Sequence, residues 1–102
     1  MDKRAALIMA KKYILLIRDK YPLSKAFLFG SFAGTKIHPD SDIDIAVVMK
    51  DIKDYWSVQI DLMKFRRSID TRIEPHPFAE KDFVKSDPLV REIVNRGIQI
   101  NI

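Results

Sequence analysis

The chain contains no cysteine, which removes disulfides, thiolate metal sites, iron–sulfur clusters and cysteine nucleophiles together. Glycine and proline are sparse, at 3 and 5 in 102 residues, too few for a collagen-like or linker-like chain. No apolar run approaches the roughly 20 residues that span a bilayer, so no membrane is expected. Lys3-Arg4 does precede an apolar patch, but Lys11 and Lys12 cut that patch short of a secretory core. A cytoplasmic protein is the expectation. Disorder is excluded by abundance instead, since 47% of the residues are hydrophobic.

A chain of this length predicts a single domain over residues 1–102, large enough to bury a core without staples. It carries 18 Lys+Arg against 14 Asp+Glu, a net charge of +4. That balance suits an anionic partner such as a nucleotide, RNA or an acidic protein surface, and it equally serves plain solubility.

Hydrophobic spacing predicts the elements. Residues 2–20 form an amphipathic helix capped by Asp2 and stopped by Tyr21-Pro22, with Ile8, Leu15 and Leu16 as a second apolar edge. Residues 25–29 are a covered strand ended by Gly30-Ser31, and residues 42–49 a central strand with acids at its start. Residues 53–68 give a second helix, with Trp56, Ile60, Met63 and Phe65 toward the core. Residues 69–74 read as a third strand broken by Pro75-His76-Pro77. A helix from Pro88 to Gly97 and a closing strand at 98–101 complete the order. The fold class is a small α/β (α+β) domain, a mixed sheet of about four strands flanked by helices.

Chemistry concentrates between Gly30 and Asp44. Asp42 and Asp44 stand two apart on a strand, so their side chains share a face, about 6–7 Å apart at Cα. Carboxylates so placed converge on hard cations, and Mg²⁺ completes its shell with water and phosphate oxygens. Asp70, on another strand, is the candidate third carboxylate of a two-ion site. A glycine directly after a buried strand lets backbone N–H groups approach a phosphate, and the Ser31 hydroxyl adds a donor. Lys36 is a further candidate contact for the phosphates. Gly-Ser alone, or Asp-x-Asp alone, is common; the two in series on strand ends form a far more specific signal. His38 and His76 lie in proline-containing loops without ligand spacing and read as ordinary surface residues.

Phe29-Gly30-Ser31 followed by Ser41-Asp42-Ile43-Asp44-Ile45 resembles the nucleotidyltransferase superfamily of DNA polymerase β, kanamycin nucleotidyltransferase and the small MNT proteins. The likeness extends to Ile69-Asp70 as the strand of the third acid, and is greatest to the MNT antitoxins that accompany HEPN-domain toxins. It implies the polymerase β-like fold and a two-ion Mg²⁺ site on Asp42, Asp44 and Asp70. It also implies ATP held at Gly30, Ser31, Lys36 and Ser41, and AMP transfer to a tyrosine of a HEPN toxin in a hetero-oligomer, without direct nucleic-acid binding. The sequence departs from the family where a basic residue and glycine follow Gly-Ser-x-Ala; Gly34-Thr35 stand there instead. That departure keeps open an antitoxin-like module that neutralises its partner by contact alone. Transfer to a small molecule or an RNA end is a third alternative, for which so short a chain has little room.

Overall fold

A computed structural model describes residues 1–34 and 41–102. Helix α1 (Lys3–Ile17) leads into strand β1 (Leu23–Phe29), a 3-10 turn (Gly30–Ala33) and strand β2 (Ile43–Met49). Helix α2 (Tyr55–Phe65), strand β3 (Ile73–Ala79), helix α3 (Pro88–Arg96) and strand β4 (Ile98–Ile100) follow. The sheet order is β3-β2-β1-β4. β3 runs parallel to β2, and β1 runs antiparallel to both β2 and β4.

The capping chemistry is local. Asp2 accepts a hydrogen bond from the Ala5 N–H at 2.8 Å, Asp54 caps α2 through the N–H groups of Trp56 and Ser57, and Asp87 accepts from Leu89 N–H at 2.9 Å with Pro88 behind it. Each occupies an otherwise unpaired N-terminal donor. Gly97 closes α3 because a Cβ there would strike the Ile93 carbonyl oxygen and stand 3.2 Å from the Leu28 oxygen.

Alternation along the strands builds two unequal cores. Ala26, Leu28, Ile43, Ile45, Val47, Met49, Ile73 and Ile100 face α1 and α2, where Ala10, Tyr13, Ile14, Ile17 and Leu62 close the layer. Tyr13 ties those helices together by donating its hydroxyl to the Leu62 carbonyl at 2.7 Å. The opposite face holds a small cluster of Phe27, Phe29 and Ala46 under Ile93 of α3.

Two expectations are corrected. The third strand begins at Ile73, not at residue 69, and runs straight through Pro75-His76-Pro77. β3 is an edge strand, and Pro75 and Pro77 alternate with the residues that bond β2, so their missing donors face outward. The outer rim is satisfied by α2 and the turn after it. Arg66 Nη1 donates to the Ile73 oxygen at 2.9 Å, Gln59 to the Pro75 oxygen at 3.1 Å, and the Ala79 N–H donates to the Tyr55 hydroxyl at 3.0 Å. In α2, Trp56 is 75% exposed and Ile60 is also exposed, while Phe65 meets the core as expected, together with Val58 and Leu62. On α1 the second apolar edge likewise leaves Ile8 and Leu15 exposed.

Candidate functional site

The site forms where β1 ends and β2 begins, with Phe29 and Asp44 as cross-strand partners. Gly30 has φ +73°, the left-handed region that side chains disfavour. A Cβ at Gly30 would also fall on Asp44 Oδ2 and lie 3.2 Å from its Cγ. Glycine is therefore required twice, by the turn of the backbone and by the approach of a carboxylate to that backbone. The turn continues through half-buried Ser31 and is anchored by the buried Phe32 ring.

Asp44 is held from its other side. Its Oδ1 accepts a hydrogen bond from His76 Nε2 at 3.0 Å. The His76 ring stands edge-on to Phe29, centroids 4.9 Å apart. Asp42 is exposed in the segment before β2, where the Ile43 N–H donates to the Arg72 oxygen at 2.9 Å. Ser41 is half-buried beside it, whereas Lys36 and His38 lie outside the described residues.

Asp70 occupies the turn before β3, not a strand. Both its oxygens serve Arg72: Oδ1 accepts from the backbone N–H at 2.9 Å and from Nε at 3.0 Å, and Oδ2 from Nη2 at 2.7 Å. The Arg72 hydrogen bonds hold its carboxyl below the usual aspartate value against the opposing effect of desolvation. The acid beside Asp44 in register is Glu74, its partner on the parallel strand β3. Glu74 Oε2 lies 3.7 Å from Arg66 Nη1. Thus Gly30, Ser31 and Asp44 come together with Asp42 one step before β2, while Asp70 is engaged elsewhere.

The sequence reading took His76 for an ordinary surface residue and offered no site role for Glu74. The available signal was the alternation Glu74-Pro75-His76-Pro77, which places residues 74 and 76 on the face of Asp44 once 73–79 is a strand.

All-oxygen donors suit Mg²⁺, and the space kept free over Asp44 by Gly30 is a cradle that a Cβ would fill. Among the described residues no three His, Cys, Asp or Glu side chains stand close enough to hold a metal as a group. The arrangement fits an ion held by one or two carboxylates and completed by a substrate's phosphates.

A family model described as Polymerase beta, Nucleotidyltransferase matches residues 11–101. The chain belongs to this nucleotidyltransferase family. Comparison with curated proteins finds no match. Among solved structures, a toxin–antitoxin complex with AMP-PNP contains a chain 28% identical, with a TM-score of 0.59 over 87% of this chain and 70% of that one. A chain in the complex of tri-AMPylated Shewanella oneidensis HEPN toxin with MNT antitoxin is 26% identical, with a TM-score of 0.58 over 92% and 70%. A Sulfolobus solfataricus protein, 24% identical over 95% of this chain and 80% of its own, shares the fold with a TM-score of 0.65. The expected MNT kinship and polymerase β-like fold are thereby met. No helix among the described residues is long and apolar enough to cross a membrane.

Proposed function

We propose that this nucleotidyltransferase domain, acting as a single minimal unit, transfers AMP from ATP to a hydroxyl of a HEPN-type partner toxin, a tyrosine by the family resemblance, and so serves as its antitoxin. The observation that carries the proposal is the fit of Asp44 against Gly30, a carboxylate brought to the backbone of a left-handed glycine turn at the end of β1. The neighbours support it: one is a toxin–antitoxin complex with AMP-PNP, another contains an AMPylated HEPN toxin.

In this function Gly30 and Ser31 receive the β and γ phosphates through backbone N–H groups and the Ser31 hydroxyl, with Lys36 and Ser41 as further nucleotide contacts. Asp42 and Asp44 would hold Mg²⁺, which would supply positive charge against the negative charge of the phosphates. The acceptor oxygen forms a bond to the α phosphorus as the bond to the pyrophosphate oxygen breaks, and the hydroxyl proton passes to a carboxylate. Glu74, in register with Asp44, is the better placed third acid; Asp70 serves only if it leaves Arg72. Positioning and charge neutralisation supply most of the rate. The exposed position of Asp42 suits a site that a macromolecular acceptor covers.

The test is mass spectrometry of the partner toxin after incubation with this chain and MgATP. A gain of one or more adenylyl groups on tyrosine is expected. Neutralisation without any mass gain overturns transfer and favours the contact-only module, which the Gly34-Thr35 departure keeps open.

A further inference from the structure

We infer that His76 is a positioning residue for the nucleotidyl-transfer site: it fixes the Asp44 carboxylate in the orientation that receives a divalent cation. The inference rests on the proposed function. Its ground is the way Asp44 is gripped on two sides. An ionised carboxylate only accepts hydrogen bonds, so the 3.0 Å contact requires His76 Nε2 to carry the proton and donate to Oδ1. Gly30 bounds Oδ2 on the opposite side, where even a methyl group would collide. Between them the rotation of Asp44 is confined, with no other charged partner placed on that carboxylate among the described ion pairs.

His76 is itself held. Its backbone is locked into the parallel ladder opposite Ala46, and its ring packs edge-on against Phe29 from the far side of β2. That contact spans the central strand, and Ala46, the register partner of both His76 and Phe27, is small enough to lie beneath it. The ring is thus aimed by packing, and the proton on Nε2 arrives at Oδ1 without a search through rotamers. Groups of this kind, bound to a ligand carboxylate and not to the metal, commonly alter metal affinity by 10- to 100-fold when removed. His76 is only partly exposed, 35% for its side chain, so the hydrogen bond is sheltered without being sealed from solvent.

The probe is Mn²⁺ alone, titrated against the full chain with the free ion followed by electron paramagnetic resonance. His76→Phe and His76→Leu remove the donor, whereas His76→Gln keeps one. The two apolar variants are expected to bind Mn²⁺ about tenfold or more weakly than the unaltered chain, with His76→Gln recovering most of the loss. Thermal unfolding midpoints report whether each variant keeps its fold, and two donor-less variants guard against one that does not. Apolar variants that bind Mn²⁺ like the unaltered chain, or a Gln variant as weak as Phe, overturn the inference. Asp44→Asn separates the two levels. If it loses Mn²⁺ binding while His76→Phe does not, only the role of His76 fails; if it binds as the unaltered chain does, the proposed function fails with it.

Discussion

The two faces of the sheet are built from the same strands and do opposite work. Toward α1 and α2, every strand position is apolar and the layer is sealed. Toward α3, apolar packing covers Phe27, Phe29 and Ala46, and then gives way at one end to Asp44, Glu74 and His76. One residue of displacement along β2 therefore exchanges a stabilising side chain for a reactive one. A strand whose period is 2 can separate stability from chemistry without any extra length.

Neighbouring residues give the sharpest way to break that division. Ile45→Ala should cost about 2–5 kcal/mol by chemical denaturation, because Ile45 is fully buried. Asp44→Asn should leave the denaturation midpoint nearly unchanged and lower AMP transfer about 10²–10³-fold in a radiolabel assay. If Asp44→Asn retained full transfer, the functional half of the comparison would be lost. Gly30→Ala should blur the two faces by harming both: about 1–2 kcal/mol of stability from the left-handed backbone, and transfer through displacement of the Asp44 carboxylate.

A smaller contrast distinguishes the acids near β3. Glu74→Gln should reduce transfer about 10²-fold in the same assay. Asp70→Asn should leave transfer within a factor of about two and instead loosen the Arg72 turn, seen as faster amide exchange at Arg72. The reverse result would return the third-acid role to Asp70. Asp70, whose folded value is depressed, contributes stability above the usual aspartate value that is lost as pH falls through the folded one.

The smallest effect lies at high pH. Burial, with the Tyr21 hydroxyl donating a hydrogen bond to Asp61, pushes Tyr21 up from 10.0 to about 12. Between those values the folded chain binds the proton that the unfolded chain has released, so stability must fall as pH rises. Tyr21→Phe should flatten that slope in a pH series of melting curves.

Much of this architecture was legible because local chemistry and global packing agree. Asp2, Pro88 and Gly97 mark helix ends by side-chain type, and Ile43 to Met49 mark a buried strand by composition. Gly30-Ser31 and Asp42-Ile43-Asp44 were legible as a pair through their spacing. The third strand was not, because proline is a breaker everywhere except where its nitrogen points off the sheet, and only the strand order reveals that Pro75 and Pro77 are at an edge. His76 was hidden by the same error, since a residue assigned to a loop acquires no face. The orientation of α2 was obscured by Trp56 and Ile60, which match the core in polarity but project outward.

The proline-studded rim of β3 has a consequence for assembly. Two amide donors are absent there, and the carbonyls of Ile73 and Pro75 are already taken by Arg66 and Gln59. An extended peptide arriving at that border finds almost nothing to zip onto, so the sheet cannot be lengthened from this side by fibril-like stacking. Strand addition to this sheet is left only the short β4 margin at its other edge.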